Sequence, residues 1–188
     1  MRARFQLLAG AMMALVFNPS VEAQQGPPPG CDDVPGSHDF DFWVGDWNVY
    51  DQAGNLGGTN HIEKRSNGCL ILEEWTNSGG GDGTSMNYLD PTSGQWRQIW
   101  MGSNSYIDYS GGLNESGEMV LVGEITYFGA NGSQSAPFRG TWTPNDDGSV
   151  TQHFQQFDPD NDVWNDWFIG RYVRQDADPA GMENVSED

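Results

Sequence analysis

The stretch HDFDFWVGDWNVYD, His38–Asp51, sets five aromatic rings (Phe40, Phe42, Trp43, Trp47, Tyr50) among four carboxylates, with Gly45 midway. Its second half reads as a strand. Side chains then alternate, with Trp43, Gly45, Trp47 and Val49 on one face and Phe42, Val44, Asp46 and Asn48 on the other. On a barrel strand those faces are the interior and the outside. A glycine at 45 suits a sharp bend or the close approach of another backbone, and Trp47 would fill the narrow end.

The rest of the chain repeats this period. Apolar residues rarely recur at helical spacing, whereas period-two alternation bounded by turn residues is general. The expected strands are Phe42–Tyr50, Thr59–Ser66, Cys69–Thr76, Thr84–Leu89, Gln95–Met101, Tyr106–Ser110, Met119–Tyr127, Ala136–Thr143, Ser149–Phe157 and Val163–Arg174. Asn67-Gly68, Asn131-Gly132 and Asp147-Gly148 between them supply the positive φ angles of tight hairpins. Ten hairpin-linked strands make an antiparallel meander, and rolling the meander shut removes its edges. The fold class is therefore all-β, an up-and-down antiparallel barrel of about ten strands.

The ends read differently. Arg2 and Arg4 lead into the apolar run Phe5–Phe17, followed by Pro19 and Val21-Glu22-Ala23, the layout of a secretory signal peptide cleaved after Ala23. The run of about 13 residues is short of the ~20 that a membrane-spanning helix needs. The expected organisation is a signal at 1–23, a Pro/Gly-rich segment at 24–38, the barrel at 39–175 and a disordered acidic tail at 176–188. The expected location is periplasmic or secreted. A formal net charge of −19 repels nucleic acid and anionic lipid, so neither nucleic acid nor membrane insertion is expected. Cys31 and Cys69 are the only cysteines. In an oxidising compartment a bridge between them is favoured over a free pair, and neither has the CxxC partner of a zinc or redox site.

Longer stretches resemble a known pattern. Gly45-Asp46-Trp47 looks like the G-x-W signature of the calycin superfamily, which includes lipocalins and fatty-acid-binding proteins. Phe40-Asp41-Phe42-Trp43-Val44-Gly45-Asp46-Trp47 resembles the opening of a family of exported bacterial domains of unknown function. Further matches are Gly68–Trp75, Gly94–Trp100, and Trp164 with Gly170-Arg171-Tyr172-Val173-Arg174. The resemblance implies a lipocalin-like barrel, export and no assigned activity. It also implies that Trp47 plugs the closed end beneath an arginine from the last strand, Arg171 or Arg174. The glycine-rich loop Gly79–Gly83 and the acidic Asp158–Asp162 depart from the pattern at the open end.

Eight tryptophans are a heavy load for this length. Trp96, Gln98 and Trp100 alternate on one face, two rings flanking an amide, as in a pocket for an aromatic or amphipathic molecule; the same rings could simply fill a closed barrel. Trp75, Trp96, Gln98, Trp100 and Trp142 are the candidate ligand-binding residues, and Gly45, Trp47, Arg171 and Arg174 the barrel-closing ones. Glu73 and Glu74 are adjacent, so they point to opposite faces and one can face inward. An inward carboxylate would carry a raised pKa unless paired. Glu74, Arg97, Tyr106 and His153 are the candidates for acid–base chemistry.

Other chemistries find little support. His38, His61 and His153 lack metal-ligand spacing, although a lone barrel histidine could bind haem iron, as in some calycin relatives. Asp158–Asp162 resembles the start of a calcium loop, but Val163 stands at the required glycine and Ile169 at the terminal glutamate. No GxxxxGK[ST], GxSxG or HExxH occurs. No cofactor and no metal is expected. The first expectation is an exported module binding a small apolar or aromatic molecule. The alternatives are an acid–base enzyme on the same barrel, of isomerase, cyclase or decarboxylase type, and a filled barrel acting through its acidic surface.

Overall fold

The computed structural model describes residues 30–178. The expected leader with its cleavage point after Ala23, the start of the Pro/Gly-rich segment and most of the acidic tail lie outside the described residues.

Ten antiparallel strands close on themselves. In chain order they are β1 (Gly45–Tyr50), β2 (Leu56–Arg65), β3 (Leu70–Asn77), β4 (Asp82–Asp90), β5 (Gln95–Gly102), β6 (Ser105–Leu113), β7 (Met119–Gly129), β8 (Gly132–Pro144), β9 (Val150–Asp158) and β10 (Val163–Arg174). Each pairs with its sequence neighbours, and β1 pairs with β10 from Trp47↔Arg174 to Tyr50↔Arg171, so no edge is left. The ten expected strands are all present, most of them a residue or more longer than their turn signals suggested.

The first strand is shorter than expected, and the reason bears on the function. Phe42–Trp43 do not extend β1. Asp41–Trp43 form a 3-10 turn, with the Trp43 and Val44 amides donating to the Phe40 and Asp41 carbonyls at 3.2 and 3.1 Å. The chain then swings into β1 through Gly45, whose φ of +148° disfavours any side chain. This detour lays Phe40 and Trp43 across the bottom of the barrel. Phe40 stacks on Trp43 with centroids 4.9 Å apart and meets Trp96 and Trp142 edge-on. Trp47 lies beside them, fully buried, its Nε1 donating to the Trp43 carbonyl at 2.9 Å.

Arg174 is the arginine that caps this plug, its guanidinium carbon 4.3 Å from the centre of the Trp47 ring and Nη2 donating to the Val44 carbonyl at 3.3 Å. Arg171, the other barrel-closing candidate, is on the outer face. One residue of offset reverses a strand side chain, and Arg171 pairs instead with exposed Asp147 at 2.5 Å.

Two tethers hold the bottom shut. Cys31 and Cys69 form a disulfide across a sequence separation of 38, which stabilises by about 4 kcal/mol if it acts through the unfolded chain. Trp96 Nε1 donates to the Gly36 carbonyl at 3.0 Å. The acidic tail also begins in an ordered way. Gln175–Ala177 form a 3-10 turn, and the buried Asp178 carboxylate accepts from Tyr50 Oη at 2.6 Å and Asn48 Nδ2 at 2.9 Å.

A β-carbon at Gly45 would also collide with the Arg174 guanidinium. Gly45→Ala should therefore destabilise the barrel by about 2 kcal/mol or more. Gly54→Ala, at a φ of +85° but in open space, should cost about 1 kcal/mol, from backbone strain alone. Denaturant unfolding of the two variants checks the difference.

Candidate ligand-binding cavity

Above the plug the interior changes character. Eight inward side chains from seven strands form a belt of hydrogen bonds around the barrel. On one side the bonds run head to tail. Tyr109 Oη donates to Gln98 Oε1, and Gln98 Nε2 donates to Asn87 Oδ1. Asn87 Nδ2 then donates to Ser85 Oγ at 2.9 Å, and Ser85 Oγ donates to Glu73 Oε2 at 2.5 Å. On the other side Asn60 Nδ2 donates to Glu73 Oε1 at 2.7 Å and reaches Tyr172 Oη at 3.3 Å. Tyr172 Oη donates to Gln152 Oε1 at 2.9 Å. Both arms meet at Glu73, whose two oxygens each accept one bond, from Asn60 and from Ser85.

Glu73 is 4% exposed. Burial pushes its carboxyl up to about 7, against the opposing pull of the Ser85 and Asn60 hydrogen bonds. The Tyr109 and Tyr172 phenols are raised well above 10 by burial and by the facing carboxylate, so both stay neutral.

Over this floor lies a cavity of about 220 Å³. Trp75, Trp100, Phe154, Trp167 and Phe168 supply rings to its wall, and Glu73, Gln98, Tyr109, Gln152 and Tyr172 its polar floor. Trp167 is 48% exposed and marks the rim, its Nε1 donating to Tyr127 Oη at 2.8 Å. The Trp100 indole lies against Gly83, where a β-carbon would overlap the ring.

The candidate residues separate by face. Trp75, Gln98 and Trp100 line the cavity. Trp96 and Trp142 also point inward but lie lower, packed on Phe40 in the plug. The inward member of the glutamate pair is Glu73; Glu74 is exposed outside, because Ile71, Glu73 and Trp75 share the interior phase. Arg97, Tyr106 and His153 are likewise on the outer wall. Arg97 makes a two-pronged bond to Asp108 at 2.8 and 2.6 Å, with Tyr106 3.2 Å from the same carboxylate. His153 Nε2 lies 2.7 Å from Asp166. None of these four lines the cavity, since each sits on the opposite phase of its strand from the cavity-lining residues.

Among the described residues one trio, His61, Glu63 and Glu74, brings possible metal-ligand atoms within 4.8 Å of one another, on the outer wall. It lies within a surface ion-pair network: His61 Nδ1 is 2.5 Å from Asp46, and Glu63 pairs with Arg65.

Phe154, Trp167, Phe168 and Tyr172 escaped the sequence reading. A bulge between Asp166 and Phe168 shifts the phase of β10, so two adjacent residues, Trp167 and Phe168, both reach the cavity. Tyr172 could have been found: it alternates in phase with Gly170 and Arg174.

Compared with known proteins, the chain matches no family model and no curated relative.

The folded chain holds the Glu73 proton up to about pH 7, whereas an ordinary glutamate ionises near 4.5. Its contribution is thus fully present below about 4.5 and is lost as pH rises through about 7, a swing of roughly 3 kcal/mol. Glu73→Gln should remove this swing. The variant's unfolding midpoint should rise relative to wild type from about pH 5 to about pH 8, as read by parallel denaturant titrations.

Proposed function

We propose that this protein is an exported small-molecule-binding module, related to the calycin-like exported domains its sequence resembles, whose ligand lies in the upper barrel. The carrying observation is the cavity, an aromatic-walled space with a polar floor inside the barrel. Its size limits the ligand. A cavity of about 150 Å³ accommodates benzene, so about 220 Å³ suits one ring with a short substituent, or a compact bicycle. Indole and phenyl rings in the wall favour a flat, apolar or aromatic body, and the floor amides and carboxylate would fix its orientation. The disulfide agrees with the oxidising compartment that export implies.

A second reading has one specific observation in its favour. A carboxyl raised to about 7 beside a cavity suits proton transfer near neutrality. If the protein is an acid–base enzyme, Glu73 is the group to test, in place of Glu74, Arg97, Tyr106 and His153.

1-Naphthol, a probe of fitting size, should bind saturably at one equivalent and quench tryptophan emission. Ile107→Phe places extra bulk in the cavity wall and should weaken binding at least about tenfold, with the fold checked by circular dichroism. Absence of saturable binding would contradict the proposal. Recovery of the bound compound unchanged supports a binding module; its conversion supports the enzyme.

A further inference from the structure

We infer that the natural ligand is a protonated organic amine on a small aromatic or apolar body, with the Glu73 carboxylate as its counter-ion. This deepens the proposal above and rests on the cavity being a ligand site.

A buried carboxylate is normally paired with a cation or bound to a metal, and Glu73 is neither. Every basic side chain of the described residues is engaged elsewhere. Lys64 pairs with Asp41, Arg65 with Glu63, Arg97 with Asp108 and Arg171 with Asp147. Arg139 lies over Trp164 and bonds Gln155; Arg174 lies over Trp47. The histidines pair with Asp41, Asp46 and Asp166 on the outside. The partners of Glu73 are an amide and a hydroxyl, both neutral.

The surroundings point to what is missing. The same cavity is walled by Trp75, Trp100, Phe154, Trp167 and Phe168, and indole and phenyl rings attract a cation that meets their faces. Glu73 itself lines this cavity, so a cation seated there would meet the carboxylate directly. A neutral apolar ligand would leave the ionised form of Glu73 unmatched, and an anion would be repelled by it. The long-range field agrees in sign, since a net charge of −19 draws cations toward the rim.

Binding should then depend on pH through one group. Facing Glu73 are Asn60 from β2, Ser85 from β4, the Tyr109 phenol from β6 and the Tyr172 phenol from β10. Both phenols remain protonated across the neutral range, so Glu73 is the cavity-lining group that changes charge there. An amine selects the ionised form, so its affinity should rise with pH until Glu73 is fully ionised.

The test uses three probes that fit the cavity: phenethylamine, its uncharged carbon analogue propylbenzene, and phenylacetate. Calorimetry on the full protein at about pH 8 should show phenethylamine binding at least about 30-fold tighter than propylbenzene, with phenylacetate not binding. Phenethylamine should weaken by about 100-fold at about pH 5, and propylbenzene should not change. Calorimetry in two buffers of different ionisation enthalpy, near pH 6, should show proton release on binding the amine. Glu73→Gln should erase the preference for the amine while leaving propylbenzene bound; if that variant does not fold, the wild-type pH dependence and proton release decide. Propylbenzene binding as tightly as phenethylamine, with no proton release, would overturn the amine inference and leave the cavity reading standing. Binding of none of the three would overturn both.

Discussion

The indole of Trp47 is the point on which the structure turns. It sits on β1, the strand that must meet β10 for the barrel to close, and it is held from two sides: its N–H by the Trp43 carbonyl, its face by the Arg174 guanidinium. Arg174 is its register partner across the closure, so the contact that seals the bottom also fixes how first and last strands align. Gly45 permits both, since a side chain there would occupy the space of the guanidinium. With the bottom filled by Trp47, Phe40, Trp43, Trp96 and Trp142, the remaining interior volume is pushed to the other end.

What fills the middle explains why that volume is not simply more core. A ring of polar side chains inside a barrel is costly unless each finds a partner. Here the donors are lined up so that two arms of the network end on one carboxylate. The arrangement rigidifies the floor and concentrates its unbalanced charge at a single place. Burial of Glu73 raises the carboxyl's pKa and would strengthen any interaction a charged guest makes there. The acidic outer surface plays no part in this local chemistry, but it sets the sign of the molecules drawn to the rim.

Much of the fold was legible because closure depends on strong local signals. Asn-Gly and Asp-Gly turns marked the strand ends, and Val163–Arg174 matches β10 end to end. The start of β1 was misplaced because Phe42 and Trp43 look like strand residues, while their 3-10 turn is imposed by packing under the barrel. The site was harder. Trp75, Gln98 and Trp100 were visible as large or amide side chains in a readable phase, whereas Glu73 and Glu74 differ only in phase, with apolar residues on both faces of that segment. Asn60, Ser85, Asn87 and Gln152 point inward yet look like solvent-facing residues, since alternation marks a polar residue as exterior. Trp167 and Phe168 were hidden by the β10 bulge, which no turn residue announces.

The central claim is that one glutamate is sealed inside the barrel without a counter-ion and titrates near neutrality. Carbon-13 NMR of glutamate side-chain carboxyls, followed across pH in the ligand-free protein, tests it most directly. One resonance, assigned to Glu73 by its loss in Glu73→Gln, should titrate near 7, well apart from the surface glutamates. If instead Glu73 titrates with them near the ordinary 4.5, the carboxylate is solvated or paired, and this account of the cavity is wrong.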